Sequence, residues 1–328
     1  MIDVSIVIVC MNNLNNLYPC LRSIKTQTKN LNYETFVVAY LFSAEYLQKV
    51  KEDFPWVTII ESNEIRGFSE NNNLALKHAK GKYCFVLNDD TEMKMPVIEE
   101  LVNTIDNLPE DVAIVSPVTL FRNGTVQYSG RRKHTWKDYI MMELLRTKRI
   151  FDSRGDIKED VYQTYNIIGA AFLIKRKIFE RVGWFDERFF FCPEDVALST
   201  KLNEMGYRCF VNRKISIYHY ASQTINSTPW ISTATQPASY KGFLLFFSDD
   251  NKYAYIGLAF LTILAKIPWL LKHMIFGVFR KIPNKDYIYA IADLNVIKAC
   301  LSKKSTKELF IKFYNDLPKR IMHKSMFF

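Results

Sequence analysis

A cluster of polar and acidic side chains directly follows a short apolar run. The run is Tyr83–Leu87, and Asn88, Asp89 and Asp90 come next. Carboxylates at the carboxyl end of a buried strand lie where open α/β sheets bind their ligands. Hard oxygen ligands gathered there suit Mg²⁺ or Mn²⁺ holding a diphosphate. A polar turn that only ends the strand is the open alternative.

Two further positions carry side chains that could do chemistry. Glu194 and Asp195 stand at the predicted start of a helix, directly after an aromatic segment that runs from Trp184 to Phe191. Acids in the first turn of a helix commonly offset its macrodipole, so the residue types alone favour a capping role. His219 follows an alternating strand pattern, where a histidine that stands alone is more often structural than a ligand.

The elements that must position these residues alternate between strands and helices. The apolar runs Val4–Cys10, Phe36–Leu41 and Val57–Glu61 predict strands, and helical patterns between them cover about 15–25 and 45–54. Alternation at this spacing predicts βαβ units and a mostly parallel sheet.

Local signals place the acidic cluster and its later counterpart within these elements. Ser69 predicts the N-cap of a helix that ends near Ala79, and Gly81 beyond it predicts a left-handed stop. Later in the chain, Ile167–Ile174 predicts one strand, and 194–205 predicts a helix that begins at the second acidic pair.

Composition narrows the class of protein. The 328 residues are 48% apolar and 24% charged, which predicts a chain that mostly folds around a core. The six cysteines form no CxxC pair, which favours reduced thiols in a cytosolic protein over disulfides or a zinc site. The net charge of +10 is compatible with nucleic acid, anionic lipid or a nucleotide-linked substrate.

The last quarter of the chain has a different composition. Tyr253–Ile282 is apolar and aromatic with a few basic interruptions, and its charge-free part is short for a membrane span. Pro268 is expected to divide it. Aromatic and basic residues together predict helices that lie in a membrane surface, with a packed appendage or dimer interface as the alternative. We therefore expect two domains, 1–240 and 241–328.

Several motifs together resemble one family. Gly67-Phe68 with Asn72-Asn73, then Gly81-Lys82-Tyr83, then Leu87 to Thr91 resemble the core of family 2 glycosyltransferases, especially the rhamnosyltransferase-like branch of bacterial polysaccharide biosynthesis. Gly169-Ala170, the segment from Gly183 to Asp195, and the strand ending in His219 resemble the acceptor half of that family. The resemblance covers about two thirds of the chain. It implies the GT-A fold, a Rossmann-like, mostly parallel sheet flanked by helices, here with a C-terminal helical appendage.

The resemblance also implies roles for individual residues. Asp195 matches the general base, and Asp90 with His219 matches the ligands of a Mg²⁺ or Mn²⁺ ion. The implied donor-binding residues are Cys10, Asn12, Asn73, Asn88, Asp89 and Asp90. The implied acceptor-binding residues are Glu194, Phe191 and Trp184. The sequence departs from the family pattern in two places: the region from Ala39 to Ser43 lacks the usual base-reading Asp, and Ala197 replaces a second acid.

The implied function is that of an inverting, metal-dependent glycosyltransferase in O-antigen-type surface polysaccharide assembly. Its partners would be a dTDP- or UDP-linked sugar, a saccharide or lipid-linked saccharide acceptor, and the inner face of the cell membrane, with no nucleic acid. A nucleotidyltransferase is the first alternative, although no Gly-rich phosphate loop follows the first strand. A non-catalytic basic binding protein is the second, although no nucleic-acid module is recognisable.

Overall fold

The computed structural model describes residues 1–127, 129–145, 159–220, 229–279 and 285–317. The strands are β1 (Val4–Met11), β2 (Tyr33–Tyr40), β3 (Thr58–Ser62), β4 (Tyr83–Asn88), β5 (Thr91–Glu92), β6 (Val112–Leu120), β7 (Gly130–Arg131), β8 (Val161–Thr164), β9 (Asn166–Ile167), β10 (Ala171–Lys175) and β11 (Arg208–His219). The α-helices are α1 (Leu14–Gln27), α2 (Ala44–Asp53), α3 (Phe68–Leu76), α4 (Val97–Asp106), α5 (Trp136–Leu145), α6 (Arg176–Arg181), α7 (Glu194–Glu204), α8 (Ser232–Ser248), α9 (Lys252–Phe279), α10 (Lys285–Cys300) and α11 (Thr306–Asn315).

One large sheet forms the centre of the first part of the chain. Its strand order is β3-β2-β1-β4-β10-β6-β11-β5, and β8 pairs with β11. The strands β3, β2, β1 and β4 are parallel to one another, as β6 is to β11, whereas β10 runs antiparallel to both its neighbours. The predicted α/β sheet is confirmed, with β10 as an antiparallel insertion among the parallel strands.

The central strands are apolar on both faces because both faces are covered. Along β1, Ile6 and Ile8 lie in one hydrophobic cluster and Val7 lies in another. Strand β4 divides in the same way, with Phe85 on one side and Val86 on the other. This two-sided burial explains why these strands read as continuous apolar runs rather than as alternating patterns.

Two local predictions around α3 are wrong. The N-cap is Gly67, whose N–H donates to the Glu70 carboxylate at 3.0 Å, while Ser69 lies inside the first turn and is buried. Gly81 is not left-handed. A Cβ there would lie 2.6 Å from the main-chain nitrogen of Ser5, so this position requires glycine because the backbone packs directly against β1.

The predicted single strand Ile167–Ile174 is also wrong, since it divides into β9 and β10. The residues between them use their main-chain groups elsewhere. The Gly169 N–H donates to the Asp195 carboxylate at 3.2 Å, and the Ala170 carbonyl accepts from the Asn88 N–H at 2.9 Å. The interruption therefore connects two segments that carry acidic residues.

The chain divides into two compact units. The first, which contains the large sheet, comprises Met1–Lys133, Phe151–Asp186 and Glu194–Ala221. The second, which is helical over its described residues, comprises His134–Ile150, Glu187–Pro193 and Ser222–Phe328. The predicted domain boundary at 240/241 remains a prediction, and α8 belongs to the helical unit as a whole.

Helices α8, α9 and α10 pack around a small apolar core in the helical unit, and α11 packs against α8. Pro268 lies inside α9 and does not divide it, contrary to the sequence-based expectation. A proline in a helix interior costs about 3 kcal/mol, which packing against neighbouring helices offsets here. Residues Lys252–Phe276 are long and apolar enough to cross a membrane by length and composition, with a mean hydropathy of 1.8.

Candidate active site

The acidic cluster forms the turn between β4 and β5. Strand β5 pairs antiparallel with the end of β11, and Thr91 lies opposite His219. The Tyr220 N–H donates to the Asp90 carbonyl at 2.9 Å and fixes the same pairing. This register brings His219 Nε2 to 3.3 Å from Asp90 Oδ1, although the two residues are distant in sequence.

Gln127 forms hydrogen bonds to both the main chain and the ring of His219. Gln127 Nε2 donates to the main-chain carbonyl of His219 at 2.7 Å, and Gln127 Oε1 lies 2.9 Å from His219 Nδ1. His219 Nε2 consequently faces Asp90, and the Asn88 amide nitrogen lies 3.5 Å from it. Sequence reasoning did not identify Gln127, because a lone glutamine after a hairpin turn carries no motif.

Asp89 occupies a different environment from its neighbour. Burial, the largest cause, together with the charge of Asp90 raises the pKa of Asp89 to about 7, although a hydrogen bond with the Cys10 thiol lowers it. Burial and the Asp89 charge raise the pKa of Cys10 well above its usual range. Cys10 is therefore a neutral thiol beneath Asp89. A cation beside this turn would favour the ionised form of Asp89.

The chemistry of the donor set fits a divalent cation. Asp90 contributes a carboxylate oxygen and His219 an imidazole nitrogen, and both side chains are about one-seventh exposed or less. Mn²⁺ accepts this oxygen and nitrogen combination. Across the part of the chain that the structure describes, no group of three or more His, Cys, Asp or Glu could hold a metal. The remaining ligands would thus come from a bound diphosphate and water.

Two predicted donor-site asparagines hold loops in place. Asn12 is buried with φ 46°, and its Oδ1 accepts from the Ser43 N–H at 2.9 Å at the start of α2. The Asn73 side chain donates to the Phe185 carbonyl at 2.9 Å and accepts from the Phe185 N–H at 3.2 Å. Asn12 therefore ties together the loops after β1 and β2, and Asn73 fixes the main chain at Phe185. Contact of either residue with the donor stays a prediction.

Asp195 lies in the first turn of α7, as predicted, and an arginine pairs with it. Arg131 Nη2 donates to Asp195 Oδ2 at 2.5 Å and to the Ile167 carbonyl at 2.8 Å. Asp195 Oδ2 also accepts from the Gly169 N–H, and Oδ1 accepts from the Val196 N–H at 2.8 Å. The sequence showed Arg131 only as part of a basic run, so this partner was missed.

The aromatic residues before Asp195 differ in exposure. Trp184 is partly exposed, has φ 64° and packs edge-on against Phe179. In the helical unit, Phe191 is partly exposed, whereas Phe190 is buried and stacks on Phe310 with ring centroids 4.5 Å apart. Phe190 therefore belongs to the packed interior of the helical unit. Roles for Trp184, Phe191 and the partly exposed Glu194 in acceptor binding stay predictions.

Tyr40 occupies the place where the family pattern has a base-reading acid. Its side chain is buried, and its hydroxyl accepts from the Arg66 N–H at 3.3 Å. Tyr40 is therefore packed in the core at the end of β2.

Comparisons with known proteins match a large part of the chain to one family. Residues 5–183 match the family described as Glycosyl transferase family 2. The chain is 28% identical over 232 residues to the O-antigen biosynthesis protein RfbC of Myxococcus xanthus, an alignment that covers 66% of this chain and 17% of that protein. It is 27% identical over 170 residues to rhamnosyltransferase WbbL of Escherichia coli (strain K12), covering 49% of this chain and 63% of the relative.

Solved structures share the fold at low sequence identity. The structure of GalNAc-T7 with UDP, GalNAc and Mn²⁺ matches with a TM-score of 0.53 and 17% identity, over 66% of this chain and 44% of that one. The mannosyltransferase PcManGT from Pyrobaculum calidifontis, in complex with GDP-Man and Mn²⁺, matches with a TM-score of 0.51 and 17% identity, over 94% and 84%.

Proposed function

The chain is a member of glycosyl transferase family 2 with the GT-A fold, and from this premise we propose that it is an inverting, metal-dependent glycosyltransferase. It would transfer a sugar, with rhamnose as the first candidate, from a dTDP- or UDP-linked donor. The acceptor would be a lipid-linked saccharide at the cytosolic face of a bacterial membrane, in surface polysaccharide assembly. The names of the relatives support the sugar and the pathway class.

One observation carries this proposal. The dipeptide Gly169-Ala170 bonds to Asp195 on one side and to Asn88 on the other. The strand that leads into the acidic turn and the carboxylate of Asp195 are therefore joined through one dipeptide, which supports assigning them to one site. A single inverting displacement would use two such groups, because the leaving diphosphate and the attacking hydroxyl occupy opposite sides of the sugar carbon.

The two groups would have separate tasks. Asp90 and His219 would hold Mg²⁺ or Mn²⁺, which supplies charge stabilisation for the departing diphosphate. The Asp195 carboxylate would accept the proton of the acceptor hydroxyl as the new bond forms. A carboxylate has about four acceptor positions, and Arg131, Gly169 and Val196 occupy three of them. The position that remains can receive the hydroxyl while the other three fix the carboxylate.

The variant Asp195→Asn tests the assignment of the base. Loss of a general base typically slows turnover by about 10²–10⁴-fold, and donor and Mn²⁺ affinity should remain unchanged. The measurement is the release of nucleoside diphosphate in the presence of acceptor. Glu204→Gln, at the other end of the same helix, serves as the matched control. Near-normal turnover of Asp195→Asn would place the base elsewhere, and a product that retains the anomeric configuration would exclude a single displacement.

The identity of the donor is tested by ligand-induced stabilisation. A ligand that binds only the native state raises its stability. In a thermal-shift screen of nucleotide sugars with Mn²⁺, we expect dTDP- or UDP-linked sugars to give the largest shifts. Larger shifts with GDP-linked sugars would contradict this choice of nucleotide.

Helix α9 supports the proposed membrane association. Eight apolar residues, between 40% and 84% exposed, recur at helical spacing along one face and form what we call the apolar stripe: Tyr253, Ile256, Phe260, Leu264, Ile267, Leu271, Met274 and Ile275. The opposite face is buried within the helical unit, with Thr262 and Lys266 fully covered. A helix with one apolar exposed face and neighbouring cations such as Lys272 suits a bilayer surface that carries anionic lipid.

Cosedimentation of the full chain with vesicles that contain phosphatidylglycerol tests this association. The triple variant Ile256→Ser, Phe260→Ser, Leu264→Ser should bind about 10- to 100-fold more weakly, because three apolar side chains no longer enter the bilayer. The control Phe121→Ser, Val126→Ser removes exposed apolar side chains from the sheet unit. Unchanged vesicle binding of the triple variant, or a dimer that the stripe variant alone dissociates, would contradict a membrane-binding role.

A further inference from the structure

Gln127 determines which nitrogen of His219 carries the hydrogen. The main-chain carbonyl of His219 can only accept, so the Gln127 amide group that lies 2.7 Å from it must be the nitrogen. The Gln127 oxygen then faces His219 Nδ1 at 2.9 Å. Because an amide oxygen also only accepts, Nδ1 must be the protonated nitrogen. The main-chain carbonyl of His219 therefore fixes the orientation of the Gln127 amide.

The other ring nitrogen lies in surroundings that fit this tautomer. His219 Nε2 faces Asp90 Oδ1 at 3.3 Å and the Asn88 amide nitrogen at 3.5 Å. A neutral imidazole with hydrogen on Nδ1 presents a lone pair at Nε2, which is the form that ligates a metal. The opposite tautomer would direct an N–H at the place where a cation would sit.

Gln127 is itself held on a rigid support. Its N–H donates to the Thr119 carbonyl at 2.7 Å, and Thr119 lies on β6, opposite Ile217 of β11. The bridge between Leu120 and Val126 closes the same hairpin. The glutamine and the histidine are thus both fixed to one pair of strands, so that the distance between them is defined by the sheet.

We propose that Gln127 is a positioning residue that selects the Nδ1–H tautomer of His219 and thereby presents Nε2 to the metal beside Asp90. This inference rests on the proposed metal site. Outer hydrogen-bond partners of metal-ligating histidines typically change metal affinity by about 10–100-fold when they are removed. We expect a loss of this size, because the ring would otherwise populate both tautomers and rotate.

The first measurement reads the tautomer directly and without metal. In metal-free full-length protein labelled with ¹⁵N-histidine, long-range ¹H–¹⁵N spectra at about pH 8, where an unperturbed imidazole is neutral, distinguish Nδ1–H from Nε2–H. The His219→Gln variant identifies the resonances. Wild type should show Nδ1–H, and Gln127→Met, which keeps the length but removes both hydrogen bonds, should show a mixture. An Nε2–H tautomer in wild type would overturn the inference.

The second measurement is the affinity for Mn²⁺ alone, titrated by electron paramagnetic resonance. Gln127→Met should bind about 10–100-fold more weakly, and Gln48→Leu, which removes a glutamine from the exposed face of α2, should bind like wild type. If Gln127→Met does not fold, the tautomer of the wild-type protein still decides the matter.

The outcomes separate this inference from the proposed function. Unchanged Mn²⁺ affinity in His219→Gln would contradict the metal site itself. Weaker binding in His219→Gln together with unchanged binding and an unchanged tautomer in Gln127→Met would overturn only the role of Gln127.

Discussion

Each unit of the molecule contains an aspartate beside a histidine, and the two pairs differ in what surrounds them. In the sheet unit, His219 Nε2 lies 3.3 Å from Asp90 Oδ1, next to a second acid. In the helical unit, His273 Nδ1 lies 3.0 Å from Asp293 Oδ2, and Lys266 Nζ lies 3.2 Å from Asp293 Oδ1.

The difference lies in charge balance. Asp293 is 1% exposed, and it pairs with the fully buried Lys266, whose ammonium group also contacts the Tyr240 hydroxyl at 2.5 Å. The charge of this carboxylate is therefore matched within the fold. At the sheet edge two carboxylates adjoin one imidazole, and a negative excess remains. The same residue types thus make a closed structural cluster in one unit and a site that favours a cation in the other.

The largest effect should follow from removing Asp90, the acid of the pair at the sheet edge. We expect Asp90→Asn, or excess chelator with wild type, to lower turnover by about 10³-fold or more, because metal stabilisation of the leaving group is worth several kcal/mol. The free energy of unfolding should change by about 1 kcal/mol or less, because the variant also removes the repulsion between the Asp90 and Asp89 carboxylates. The measurements are nucleoside diphosphate release and chemical denaturation.

Asp111→Asn is the control for this change, because it removes an exposed carboxylate that pairs with Arg208 far along the sheet from the acidic turn. Its turnover should equal that of wild type. Full activity of verified metal-free protein in excess chelator would exclude the role of the metal.

A change in the cluster of Asp293, Lys266 and His273 should lower stability and leave metal binding unchanged. Lys266→Met leaves Asp293 buried without its ammonium partner, and breaking a buried ion pair typically costs about 3–5 kcal/mol of stability. Mn²⁺ affinity of the folded protein should remain unchanged. Lys272→Met on the same helix is the matched control, since Lys272 is exposed and lies over the Trp269 ring at 4.8 Å. Equal stability of the two variants would show that the cluster is not a charge-balanced core.

The sequence predicts those features of the fold and of the candidate site that leave a local pattern of residues. The central strands were predictable because two-sided burial requires continuous apolar runs, as in Val4–Met11 and Tyr83–Asn88. Asp90 and Asp195 stand in motifs that the family resemblance could identify. His219 needed that resemblance as well, since its partner is brought to it only by the β5–β11 register.

Other features leave no local signal in the sequence. Gln127 and Arg131 act through single side-chain contacts that tertiary structure creates. The helical cap at Gly67 was missed because Ser69 has the better intrinsic capping propensity. Pro268 was expected to break a helix that packing in fact holds intact. In each case tertiary contacts decide the outcome, and neither local propensity nor residue spacing reports those contacts.

The smallest effect should come from replacing the closed cluster as a whole. The combined variant Lys266→Met, Asp293→Leu, His273→Phe, Tyr240→Phe exchanges the polar groups for apolar side chains of similar size. His273 already packs against the Trp269 and Tyr289 rings, so phenylalanine suits its place.

Buried ion pairs replaced as a group by well-packed apolar residues are often neutral or more stable by about 1–4 kcal/mol. We therefore expect the combined variant to regain most of the stability that Lys266→Met loses, a strong non-additivity among residues in contact. Chemical denaturation measures it, with Lys266→Met and Asp293→Leu alone for comparison. Losses that simply add would mean that the cluster contributes more than charge balance. The same kind of exchange at the sheet edge, Asp90→Leu with His219→Leu, should restore no turnover. There the negative charge of the side chains is balanced by the bound cation, and an apolar pair could not bind that cation.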